Sequence, residues 1–297
     1  MIGTDRSSQP RAAQRSLQRR NGFKLPSIGM LAAYLLIAVG AVFCLLPFWM
    51  MLVYGTHSAR EIFTYPPPMW FGTEFLENVQ RLTETVPFFR NLWNSFYIAL
   101  MATTFTLFFC SLAGYAFAMY DFKGREWLFT VVMGTMLIPG FLNLVPFYKM
   151  MNALGWLDRP IALWLPGVAG AFGIFLMRQY IGSSIPKDLL ESARIDGCNE
   201  FELYWRIVLP LARPAMGTLG LVTFIGNWNN LQGSLIVMQS KDTFTVQHAL
   251  NAMKGAYNTD WGGLFAGTLL AVIPLLVLFA LFSKQLIDGL TAGSVKG

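Results

Sequence analysis

Charge is what this chain of 297 residues has least of: Asp, Glu, Lys and Arg together make up 13% of it, against about a quarter in a typical soluble domain. Six windows (25–56, 91–120, 127–148, 160–177, 214–240 and 261–283) contain no Asp, Glu, Lys, Arg or His at all. An ion-coupled carrier places such residues along its pathway, so the driving energy is expected to come from another subunit. There is no G-x-x-x-x-G-K-[ST] stretch to cradle ATP phosphates. Only two histidines occur, His57 and His248, and no Ser/His/Asp or Cys/His arrangement points to covalent chemistry. Cys44, Cys110 and Cys198 are scattered, which argues against a disulfide framework and against a metal site.

What remains is apolar. Hydrophobic residues make up 55% and the mean hydropathy is +0.48. A spanning helix takes about 20 predominantly apolar residues. All six windows qualify, although 160–177 is short and rich in Gly and Pro. The reading is an all-α, polytopic membrane protein with six transmembrane helices. With both termini inside, 15 basic residues fall on the inner side and 7 on the outer, so the positive-inside rule selects cytoplasmic termini. Residues 1–24, with Arg6, Arg11, Arg15, Arg19, Arg20 and Lys24, read as a cytoplasmic basic tail and not as a cleaved signal peptide. The tail sets topology and has an added attraction to anionic membrane lipid. The formal net charge of +6 thus calls for no nucleic acid.

One polar stretch interrupts this pattern, on the inner side. Pro186 suits the first turn of a helix, and Leu189, Leu190 and Ala193 share one face behind it. Gly197 suits a left-handed helix end. Asn199 and Glu202 have the spacing of a capping box, Phe201, Tyr204, Trp205 and Val208 form a second apolar stripe, and Pro210 and Pro214 are expected to stop it. Two readings fit these residues about equally: an amphipathic hairpin lying on the membrane surface, or a docking knob for a cytoplasmic partner.

The stretch resembles the EAA loop of bacterial ABC importer permeases, through Glu191, Ala193, Asp196, Gly197, Ile207, Leu209 and Pro210, with Ser192 where alanine is usual. The likeness runs from about residue 31 to the end. It includes Glu61-Ile-Phe, Pro66-Pro-Pro, Pro87-Phe-Phe-Arg-Asn-Leu-Trp-Asn-Ser95, Ala113-Gly-Tyr-Ala116, Trp228-Asn229, Thr259-Asp-Trp-Gly262 and the closing Gly289-Leu-Thr-Ala-Gly-Ser-Val-Lys-Gly297. In that order the segments are similar to the maltose-type second permease of the carbohydrate uptake family. The departures are Asn230, where aspartate is common after Trp-Asn, and Gln247-His248, where Pro-Val is usual.

The resemblance implies a bacterial inner-membrane permease domain over 25–297 with its ATPase-docking loop at 183–214. Leu189, Leu190, Glu191, Ala193, Asp196, Gly197 and Phe201 would meet the ATPase. It implies a second permease subunit, two ATPase subunits that bind the ATP-Mg, and an extracytoplasmic solute-binding protein. The permease itself would be neither an enzyme nor a cofactor carrier. Ala292, Gly293, Val295 and Lys296 would insert between the ATPase subunits, and the loop with Gln247, His248, Asn251 and Tyr257 would meet the binding protein. The cargo it implies is a carbohydrate, an oligosaccharide by the closest likeness. A polyol or glycerol-phosphate-like solute is the alternative, and a stand-alone secondary carrier the third reading.

The path is carried by amides. Asn227, Trp228, Asn229 and Asn230 cluster in the fifth window, at a depth where polar groups are costly unless paired. Each alone fits interhelical hydrogen bonding; together they fit a sugar route, amides for hydroxyls and an indole for ring faces.

Overall fold

A computed structural model of the chain describes residues 28–255 and 259–291. The basic tail, Tyr257 and the four tail residues Ala292, Gly293, Val295 and Lys296 lie outside the described residues. Among the described residues every regular element is helical. The chain divides into two units, 1–49 and 50–297. Most of α1 (Ile28–Tyr54), an uncharged helix with Pro47 inside it, belongs to the first.

In the second unit, Ser58 and Glu61 form a capping box that opens α2 (Ala59–Ile62), and α3 (Phe75–Thr85) follows. The long α4 (Phe88–Met119) is the axis of the unit. Next come α5 (Arg125–Thr135), a 3-10 turn at Gly140–Asn143, α6 (Leu144–Ala153), α7 (Ile161–Trp164) and α8 (Ala171–Ser184). The polar stretch forms α9 (Lys187–Ile195) and α10 (Glu200–Glu202), then a π-helical segment, Leu203–Val208, and α11 (Leu209–Leu211). It leads into α12 (Arg213–Trp228), α13 (Leu231–Val237), α14 (Val246–Ala252) and α15 (Trp261–Thr291).

Helix α4 packs on α8 and α12; α12 packs on α15, and α15 on α3. The α4–α8 approach depends on Gly114, because a Cβ there would lie 2.5 Å from Met177 Cβ and 2.8 Å from the Arg178 nitrogen. Glycine lets the two backbones meet. One core joins Tyr115, Met177, Ile181, Leu190, Leu203 and Leu219; another joins Leu82, Phe88, Phe224, Trp228, Val246 and Leu250. Arg178 ties α8 to α5: it contacts Glu126 Oε1 at 2.9 Å and stands 3.7 Å over the Phe129 ring.

By length and composition, three described helices can cross a membrane: Gly29–Tyr54, Phe88–Met119 and Trp261–Phe282. Two bent pairs raise the number to at most five, one of them Arg125–Thr135 with Gly140–Ala153 at 90° and the other Glu200–Leu211 with Arg213–Trp228 at 77°. The expected window 160–177 does not form one long helix. Pro166, Gly167 and Gly170 fall between α7 and α8, and the 14 residues of α8 reach only about 21 Å of a hydrocarbon core about 30 Å thick. Pro210 and Pro214 also act differently from expectation. They bend the chain at Ala212 and leave it helical on both sides. Pro214 lies in the first turn of α12, where a missing N–H costs little.

Candidate functional site: a polar helix pair and an amide-rimmed cavity

Local signals build the polar helix pair. Pro186 is the extended residue before α9, and Gly197 closes the helix with φ +93°. Asn199 accepts the Glu202 N–H at 3.0 Å, and the Glu202 carboxylate accepts the Asn199 N–H at 3.2 Å. Pro210 has no N–H to give back to the preceding turn, and the helix widens to π geometry just before it. Of the seven residues assigned to docking, Glu191, Asp196, Gly197, Leu189 and Phe201 are exposed. Leu190 and Ala193 are not: they turn into the protein's own core, 2% and 9% exposed. The face they leave outward is completed by two residues the motif did not single out, Ile195 at 87% exposure and Trp205 at 45%.

The four path residues separate into different roles. Helix α12 ends at Trp228 and α13 starts at Leu231, so the amides sit at a helix break where backbone groups need partners. Asn227 is spent on its own helix, donating to the Thr223 carbonyl at 2.9 Å. Asn230 caps α13, its Oδ1 accepting the Gly233 N–H at 2.9 Å. Trp228 is 1% exposed and stacks on Phe224. Asn229 alone reaches across, accepting from Gln247 Nε2 at 3.1 Å.

That contact closes the rim of a cavity of about 350 Å³. Trp228, Asn229, Gln247, Asn251 and Lys254 line it above an apolar body that includes Phe265 and Leu275. Two groups of residues assigned separately, to the path and to the binding-protein loop, are thus brought to one place. Lys254 was missed; it lies just beyond the end of α14, and no local signal in the sequence marks it.

His248 goes elsewhere. It is 8% exposed, its ring lies 3.5 Å from that of Phe244, and Nδ1 is 3.1 Å from Ser234 Oγ. Burial pulls its imidazolium below the ordinary histidine range. It is a core residue of α14 and not a surface contact. The apolar series Val246, Ala249, Leu250 and Met253 carries the signal for this burial.

The segment leading into α14 is held at both sides. From α4, Asn91 donates to the Lys241 and Phe244 carbonyls at 2.7 and 3.1 Å, and Asn94 to those of Asp242 and Phe244 at 2.8 and 3.1 Å. Ser95 Oγ accepts the Val246 N–H at 2.7 Å. From the other side, Asp158 (φ 60°) accepts the N–H groups of Gln239 and Ser240 at 2.9 and 3.0 Å, and the hydroxyls of Ser240 and Thr243. These donors hold its carboxyl well below the usual carboxylate range, against the opposing effect of burial.

A largely apolar helical frame, a polar helix pair at one end of α4 and an amide-rimmed cavity at the other fit a multi-pass permease. Residues 110–290 match the family described as the binding-protein-dependent transport system inner membrane component. The chain is 38% identical over 210 residues to the arabinooligosaccharides transport system permease protein AraQ of Bacillus subtilis, covering 71% of this chain and 74% of that one. It is 33% identical over 273 residues to the lactose transport system permease protein LacG of Rhizobium radiobacter, covering 92% and 97%. A solved bacterial ABC transporter involved in import of the acidic polysaccharide alginate shares the fold, with a TM-score of 0.77 at 21% identity over 89% of this chain and 99% of that one. The chain belongs to the binding-protein-dependent inner membrane component family. It is a permease component of an ABC importer and not an enzyme.

Proposed function

We propose that this chain is the second permease subunit of an ATP-driven importer that takes up an oligosaccharide delivered by an extracytoplasmic binding protein. The observation that carries this is the convergence of Trp228, Asn229, Gln247, Asn251 and Lys254 on one cavity. Amides and an ammonium suit sugar hydroxyls, and an apolar body suits ring faces. Two relatives named for arabinooligosaccharide and lactose transport support the cargo class.

In this reading residues 25–297 form the permease domain with six crossings and both ends in the cytoplasm. The broken α7–α8 stretch supplies the fourth crossing, its irregular part buried against protein or lining the path. Segment 183–214 docks the first of two ATPase subunits through Leu189, Glu191, Asp196, Gly197 and Phe201, with Ile195 and Trp205 beside them. Ala292, Gly293, Val295 and Lys296 reach between the ATPase subunits, which carry the ATP-Mg. A second permease of similar fold supplies the other half of the path. The test is to purify the assembled transporter with its binding protein and identify the sugar retained. A binding protein that retains a polyol or a glycerol phosphate and no oligosaccharide would replace the cargo.

A further inference from the structure

The polar helix pair and the cavity lie at opposite ends of α4, and the contacts between them form a continuous series. Glu200, the first residue of α10, takes Arg194 of α9 on one side, Nε at 2.9 Å and Nη2 at 3.3 Å. On its other side the carboxylate accepts the hydroxyl of Tyr120 and, at 3.4 Å, that of Tyr115. Tyr115 lies in α4 and Tyr120 directly after it. The Tyr115 ring stacks on Tyr204 of the π segment, with centroids 5.9 Å apart and planes at 29°. The Tyr204 hydroxyl then shares a hydrogen bond of 2.7 Å with Ser111 Oγ, and both residues are buried, at 3% and 0% exposure. Ser111 is bonded in turn to the Leu107 carbonyl within α4, at 2.5 Å.

At the far end of the same helix, Asn91, Asn94 and Ser95 hold the segment that enters α14 and sets the cavity rim. A helix of 32 residues is about 48 Å long and resists compression along its axis. Exposed ion pairs contribute little by themselves, so Arg194–Glu200 alone would be a weak link. The buried Tyr204–Ser111 bond is different. It leaves no water to exchange with, and it fixes the π segment to a definite height on α4.

We infer that Glu200, Tyr204 and Ser111 are the positioning residues that deliver movement of the docking segment to α4, and through α4 to the cavity rim. The inference rests on the reading of 183–214 as the docking segment. These three residues do not hold the ATPase. They convert its pull into a shift of the helix whose other end carries the amides.

The test uses the assembled transporter in a background where Cys44, Cys110 and Cys198 are replaced. Single reporter cysteines replace Trp93, exposed at the far end of α4, and Lys254, exposed at the cavity rim. The rate of maleimide labelling is compared with and without ATP-Mg. Tyr204→Phe and Glu200→Gln are expected to reduce the ATP-dependent change at both reporters by about threefold or more, while the ATPase subunits still copurify and hydrolyse ATP. Tyr204→Phe combined with Ser111→Ala should be no worse than either alone, as two ends of one bond require. An unchanged ATP response in both variants overturns the inference. So does loss of the ATPase from both, because the residues would then belong to docking. No response at either reporter in the parent protein overturns it as well. A response at 93 with none at 254 leaves the joint standing and removes the cavity from the path.

Discussion

Two short polar segments of this protein were expected to meet partners, and the fold treats them in opposite ways. Segment 186–211 leaves several large apolar side chains outside: Ile195, Phe201 and Trp205 are 87%, 69% and 45% exposed. Segment 241–253 turns its own inward, with Val246 and Ala249 at 0% and Leu250 at 6%. The first is anchored by Leu190, Ala193, Leu203, Tyr204 and Val208 and leaves that exposed set facing outward. The second is a structural element that lends Gln247, Leu250 and Asn251 to the cavity, with Lys254 just beyond it. Exposed aromatic side chains on a polar helix pair mark a binding face; the buried aliphatic side chains of α14 mark a floor. The first segment thus offers a surface, and the second sets the placement of side chains.

The sharpest break of this comparison is at Gly197. Its φ of +93° is a region closed to proline and strained for other residues, although no neighbour lies within 4 Å of an added Cβ. Gly197→Pro is expected to abolish ATP-driven uptake and loosen the ATPase in copurification, while the protein still inserts. Glu191→Lys, which inverts an exposed charge, should do the same without disturbing the fold. Normal uptake by both variants would remove the docking assignment.

Next come paired substitutions of one apolar residue in each segment. Leu250→Ala opens a cavity in a packed core and should lower stability by about 2–5 kcal/mol. Phe201→Ala should leave the unfolding of the isolated subunit nearly unchanged and weaken its hold on the ATPase. If Phe201→Ala destabilises as much as Leu250→Ala in detergent unfolding, the contrast between the segments is false.

The contrast also has a pH signature. His248 is held neutral by burial, its folded-state pKa below the ordinary value of about 6.5. The unfolded chain therefore takes up a proton first, and the stability present above about pH 6.5 is lost as pH falls towards the depressed value. Asp158 is depressed as well, so its contribution is present above about pH 4 and lost only in stronger acid. Protection from hydrogen exchange over 241–253, taken relative to the intrinsic rate at each pH, should fall from about pH 7 to pH 5 in the parent and stay flat in His248→Phe. Exchange over 187–195 should not follow the same titration.

The same two segments mark where reading the sequence succeeds. Gly197, Asn199 and Glu202 were legible because caps and left-handed ends are decided within a few residues. The helix break at 229–230 was not. Asn227, Asn229 and Asn230 stand in an uncharged window that reads as one span, and nothing in their spacing says that the helix stops at Trp228 and restarts at Leu231. Burial of His248 depends on Phe244 and Ser234, and the role of Asn91, Asn94 and Ser95 depends on backbone groups about 150 residues away. Tertiary partners of that kind leave no local period. The break inside window 160–177 escaped for a related reason: hydropathy sees composition, whereas Gly167 and Gly170 act on backbone continuity.

The smallest expected change in stability separates the two asparagines at the break. Asn230 caps α13 through the Gly233 N–H, so Asn230→Leu should cost about 1 kcal/mol, the worth of a helix cap. Asn229 makes one side-chain bond, to Gln247, at the edge of the cavity, and Asn229→Leu should cost only about 0.6 kcal/mol. For uptake the order should reverse. Asn229→Leu places a methyl-bearing side chain at the rim and frees the Gln247 amide, so transport should fall while the binding protein still stimulates ATP hydrolysis. Asn230→Leu should keep transport in proportion to the folded protein that remains. Measuring uptake per folded transporter for both variants decides it. A transport defect confined to Asn230→Leu would mean that the helix break acts through its geometry and that Asn229 does not line the route.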